Sequence, residues 1–128
     1  MAEHRVSGVQ KNADLCFVCG DHNPYGLNAR FYDLENGEVV AVFTAKKEHQ
    51  SYPGRVHGGV IAAILDEATG RAICHLDGPD SFGVTVELSI RYRKPVPYDT
   101  ELKCVGRITR NTRLLFEAEG EVLLPDGT

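Results

Sequence analysis

The chain has 128 residues, 42% apolar and 25% charged, which is the size and balance of one globular domain with no room for a second. Lysine and arginine number 14 against 18 aspartates and glutamates, a net charge of −4 that lacks the basic footprint of a nucleic-acid binder. No apolar run approaches the roughly 18 to 20 residues that span a bilayer, and residues 1–11 lack the apolar core of a secretory signal. The expectation is a cytoplasmic protein with neither a nucleic-acid nor a membrane partner.

In chain order, residues 1–14 carry no apolar period and read as a flexible arm ahead of a domain over residues 15–128. Cys16 and Cys19 then form a C-x-x-C. A zinc site wants four ligands; His22 offers a third, no fourth is visible, and Cys74 and Cys104 form no second pair. The reading is four free thiols, no metal and no cofactor. The turn formers of DHNPYG precede a strand over residues 27–32, and Asn36-Gly37 is a hairpin signal leading into a strand over residues 38–45.

After Pro53, Gly54 and Gly58 the pattern changes. The run of Val60, Ile61, Ala62, Ala63, Ile64 and Leu65, continued by Ala68, Ala72 and Ile73, predicts a buried helix over about residues 59–75, ended by Asp77-Gly78-Pro79. Phe82, Val84, Val86, Leu88, Ile90 and Tyr92 alternate with more polar residues, the period of a half-buried strand. Two more strands follow, over residues 101–109 and 114–124. One long helix against an antiparallel sheet is an α+β arrangement.

The chemistry sits in residues 53–70, PGRVHGGVIAAILDEATG. Gly58-Gly59 falls where the helix begins, so a ligand can approach the free N–H groups of its first turn, where the dipole is positive. That position suits a substrate oxygen gaining negative charge. Asp66 interrupts an apolar helix, where a carboxylate is costly unless paired or useful. It lies about two turns beyond Gly59, on the same side, whereas Glu67 points about 100° away and reads as a surface or interface residue, with the choice between the two as catalytic acid left open.

His57-Gly58-Gly59, six apolar residues and then Asp66 resemble the H-G-G…D signature of PaaI-like hotdog thioesterases, of the 4-hydroxybenzoyl-CoA thioesterase superfamily. The stretch GVTVELSI at 83–90 resembles the family's strand after the helix, and CFVCG with Asn23-Pro24 and Gly26-Leu27 is similar to a bacterial subgroup; the likeness covers roughly residues 15–124. It implies a hotdog fold, one long central helix wrapped by an antiparallel sheet, and an acyl-CoA thioesterase working as a homodimer or homotetramer, with CoA part of the substrate. Asp66 would be nucleophile or general base, the Gly59 N–H would polarise the carbonyl, Thr85 would position water, and His57 would shape the loop or contact the acyl group. Asp66 and Thr85 would come from different subunits. Ser51 stands where some relatives carry a longer Asn or Gln that contacts the water or carbonyl.

Each residue also has a plainer reading: Asp66 as a paired helix carboxylate, His57 as a loop histidine, Thr85 as an ordinary strand threonine. Arg91, Arg93 and Lys94, with Arg107, Arg110 and Arg113, form a solvated face that holds the candidates for a CoA phosphate. Gly58 joins Ser51, Arg91 and Arg93 as an expected substrate contact, and Tyr52, Ala62 and Leu65 as the pocket wall. A non-catalytic acyl-CoA binder and a hotdog dehydratase or hydratase are the competing functions; the latter use a His–acid spacing absent here. The resemblance implies one further strand after the Pro125-Asp126-Gly127 turn.

Overall fold

The Asn36-Gly37 turn organises the first part of the sheet. Gly37 adopts φ +93°, a conformation open to glycine, and the turn joins β2 (Arg30–Leu34) to β3 (Val39–Thr44) as antiparallel neighbours, with Phe31 opposite Ala41. The protein is described here from a computed structural model, covering residues 5–78, 83–112 and 114–127, without the side chains of residues 75–77. β1 (Val6–Val9), β4 (Glu101–Asn111) and β5 (Phe116–Leu123) complete a five-stranded antiparallel sheet in the order β1-β2-β3-β4-β5.

The long helix α1 (Gly58–Asp77) lies against this sheet. It starts one residue before the predicted helix and ends two after, where Gly78 at φ +105° donates its N–H to the Cys74 carbonyl. Ile61, Ile64, Ala68 and Ala72 recur at helical spacing and are all buried. The first three share a core cluster with Phe31, Phe43, Leu102 and Cys104 from the sheet. Gly106 is what lets β4 pass so close: a Cβ there would lie 2.5 Å from the Ala68 carbonyl oxygen. Burying a side chain such as Ile64, wholly enclosed, stabilises the fold by roughly 1.5–3 kcal/mol.

Two expectations change. Residues 6–9 of the expected arm form β1, because β2 presents an open edge and Val9 pairs opposite Tyr32. The strand expected over residues 82–92 has no ladder; Phe82 lies outside the described residues, and residues 83–94 belong to no strand. Val84 is 91% and Val86 96% exposed. Their alternation buries nothing within a single chain, and a β-strand needs a neighbour for its backbone hydrogen bonds.

Candidate functional site

The helix start is held from below. Buried His49 accepts from the Lys46 N–H at Nδ1 (3.0 Å) and bonds the Tyr25 carbonyl at Nε2 (2.8 Å), and its own carbonyl accepts from the His57 N–H. Val56 N–H donates to the Val96 carbonyl, tying the loop to the stretch before β4. His57 is the N-cap of α1. Its Nδ1 accepts from the Gly59 N–H at 2.8 Å, while its carbonyl accepts from Val60 and Ile61. An Nδ1 acceptor makes this a neutral imidazole protonated at Nε2. The Gly59 amide, expected to be free for a ligand, is therefore capped by the His57 ring.

A groove of about 350 Å³ opens beside this helix start, walled by Ser51, Tyr52, Gly58 and Tyr92 and edged by Arg55, Arg93 and Lys94. Tyr92 donates its hydroxyl to the Gly58 carbonyl at 2.7 Å. Of the expected substrate contacts, Ser51, Gly58 and Arg93 line the groove and Arg91 does not. Of the expected wall, Tyr52 lines it, whereas Ala62 and Leu65 do not, and Leu65 packs against the core instead. Arg55 and Tyr92 were not singled out from sequence; their signal was closeness in the chain to His57 and to Arg93. Arg107, a candidate phosphate ligand, is committed to Glu38 and Glu121, each at 2.5 Å, and Arg113 lies outside the described residues.

Asp66 lies further along α1, half-buried, and its Oδ1 accepts from the Thr85 hydroxyl at 2.5 Å. Within the single chain described, Thr85 reaches Asp66 because residues 83–92 run back along α1, from Thr85 at Asp66 to Tyr92 at Gly58. Glu67 turns the other way: Oε2 accepts from Arg71 at 3.1 Å and Oε1 from the Cys16 thiol at 3.2 Å. Its carboxylate is thus taken up on the face away from Thr85. Cys19 is 1% exposed. Burial and the Glu67 hydrogen bond push its thiol up to about 12, so it is no ready nucleophile.

A sheet of this order around one long helix, with a capped glycine pair at the helix start and a carboxylate two turns on, defines a single-helix hotdog domain. The solved thioesterase superfamily protein RHA08564 superposes with a TM-score of 0.80 at 29% identity, covering 88% of this chain and 57% of that one. The Escherichia coli PaaI protein from the phenylacetic acid degradation operon superposes at 0.70 and 15% identity, covering 80% of this chain and 72% of that one. The sequence model of the Thioesterase superfamily matches residues 53–128, well over half of the chain. The chain belongs to the Thioesterase superfamily and has its hotdog fold. The mouse acyl-coenzyme A thioesterase THEM4 is 38% identical over 69 residues, 54% of this chain; the chain spans 28% of that protein. No described helix is long and apolar enough to cross a membrane.

Proposed function

We propose that this protein hydrolyses acyl-CoA thioesters, releasing the free acid and CoA, with Asp66 as general base or nucleophile. The observation that carries the reading is the half-buried Asp66 carboxylate on the helix of the H-G-G segment, oriented by the Thr85 hydroxyl. Water deprotonated by Asp66 attacks the carbonyl carbon. The oxygen gains negative charge and accepts from the Gly59 N–H once His57 yields it. Collapse of the tetrahedral intermediate breaks the C–S bond, and the proton taken up by Asp66 passes to the departing CoA thiolate to give the free thiol. Arg55, Arg93 and Lys94 supply cations for the CoA phosphates at the groove edge, and Tyr52 and Tyr92 supply apolar faces.

The working unit in this proposal is a dimer. At about 1.5 Å of rise per residue, the seven positions from Gly59 to Asp66 span roughly 10 Å. One reacting carbonyl has to sit about 3 Å from both nucleophile and oxyanion donor. The Gly59 amide of one chain and the Asp66–Thr85 pair of another meet that requirement when two copies pack together along residues 83–92. Exposed Val84, Val86 and Leu88 are the apolar surface available for it. A cytoplasmic location remains part of the same proposal.

The test is thiol release from short, medium, long and aryl acyl-CoAs by wild type and Asp66→Asn. Wild type releases CoA and the variant turns over about 10²- to 10⁴-fold more slowly, with unchanged circular dichroism. Ligand binding without CoA release by either protein assigns Asp66 a structural role and makes the chain a binder.

A further inference from the structure

The geometry points to a divalent metal site of the zinc class on the other side of α1, formed by Cys16, Cys19 and Glu67. The two sulfurs and a Glu67 carboxylate oxygen lie within 4.8 Å of one another. The sequence offered only the C-x-x-C pair and His22. The third ligand instead comes from the helix, 51 residues after Cys16. His22 is taken up by Asp14 at the surface.

The convergence is built into the backbone. Cys16 N–H donates to the Ala13 carbonyl at 3.1 Å, and Gly20 N–H donates to the Cys16 carbonyl at 2.8 Å. A Cβ at Gly20 would lie 2.5 Å from the Asp14 carbonyl oxygen and 2.6 Å from the Cys16 nitrogen and oxygen. The position therefore takes only glycine, and the tight turn it closes sets both sulfurs toward α1. Zinc–sulfur bonds of about 2.3 Å put tetrahedral sulfurs roughly 3.8 Å apart, so donors already within 4.8 Å need contract by only about 1 Å.

The surrounding contacts orient the ligands. Arg71 holds Glu67 Oε2 at 3.1 Å, leaving Oε1 toward the sulfurs. Its guanidinium also donates to Cys19 Sγ at 2.9 Å, to the Lys11 carbonyl at 2.9 Å and to Asn12 Oδ1 at 3.3 Å, and lies 4.1 Å over the Phe31 ring. So many bonds fix it in place as an outer partner, the arrangement that tunes metal ligands. Charge balances as well: two thiolates and a carboxylate around a divalent cation leave one negative charge, and Arg71 supplies the positive one. Thiolate donors select zinc over magnesium or calcium, and water takes the fourth position. The ion would pin the loop of residues 13–20 to the middle of α1. It would also hold Glu67 away from Asp66, its neighbour in sequence.

The test uses the full chain purified without chelator. Elemental analysis finds about one zinc per chain, and cobalt exchange gives the near-ultraviolet thiolate-to-cobalt absorption of such sites. Cys16→Ser, Cys19→Ser and Glu67→Gln each lose or weaken that signal, whereas Cys74→Ser keeps it. Because the cysteine variants can fail to fold, chelator is also added to wild type: the melting temperature falls and zinc restores it. The proposal is overturned by a metal-free protein that gives no cobalt–thiolate band. It is also overturned by a band that survives loss of both cysteines, or by a native mass lower by two hydrogens that marks a Cys16–Cys19 disulfide.

Discussion

β4 and residues 83–92 carry the same alternating pattern and end in opposite surroundings. In β4, Leu102 and Cys104 are almost wholly enclosed under α1, and the strand is paired on both sides, with β3 and with β5. In residues 83–92, Val84 and Val86 are almost wholly exposed and no ladder forms. The period of a sequence reports that one face of a strand is to be buried; it does not say whether the covering surface belongs to the same chain. In the proposed dimer, residues 83–92 receive from a second copy the neighbour that β4 finds in β3 and β5.

The sharpest contrast comes from substituting one side chain in each region. Leu102→Ala opens a cavity in the single-chain core and lowers unfolding stability by about 2–5 kcal/mol, measured by denaturant titration at low protein concentration. Val86→Asp changes the unfolding free energy of the isolated chain by less than about 0.5 kcal/mol, as an exposed position does. It nonetheless shifts the sedimentation profile toward monomer and lowers CoA release in parallel. A Val86→Asp protein that keeps both its assembly state and its activity removes residues 83–92 from the interface.

The same contrast separates what the sequence made legible from what it hid. α1 was legible because Ile61, Ile64, Ala68 and Ala72 repeat at helical spacing, and the β2–β3 hairpin because Asn36-Gly37 permits few other turns. β1 was hidden: four residues at an edge, mostly exposed, leave too little apolar signal to stand out. Asp66 stood out through its cost in an apolar helix and Gly58-Gly59 through their place at the helix start, and in the folded chain Thr85 bonds Asp66. The capping of Gly59 by His57 could not be read in advance, because it depends on one side-chain rotamer. The meeting of Cys16 and Cys19 with Glu67 was equally out of reach, since it arises only when the loop folds across α1.

A thioesterase site shared between two chains is tested by mixing two inactive variants. Asp66→Asn removes the carboxylate, and Gly59→Pro removes the oxyanion N–H at a first-turn position that tolerates proline. The two proteins are unfolded together, refolded and assayed for CoA release beside each variant alone. The account predicts that each alone is inactive. The mixture recovers about a quarter of wild-type turnover, because half of randomly formed dimers are mixed and each mixed dimer rebuilds one of its two equivalent sites. A mixture as inactive as its components, with mixed dimers present by mass, contradicts the shared site.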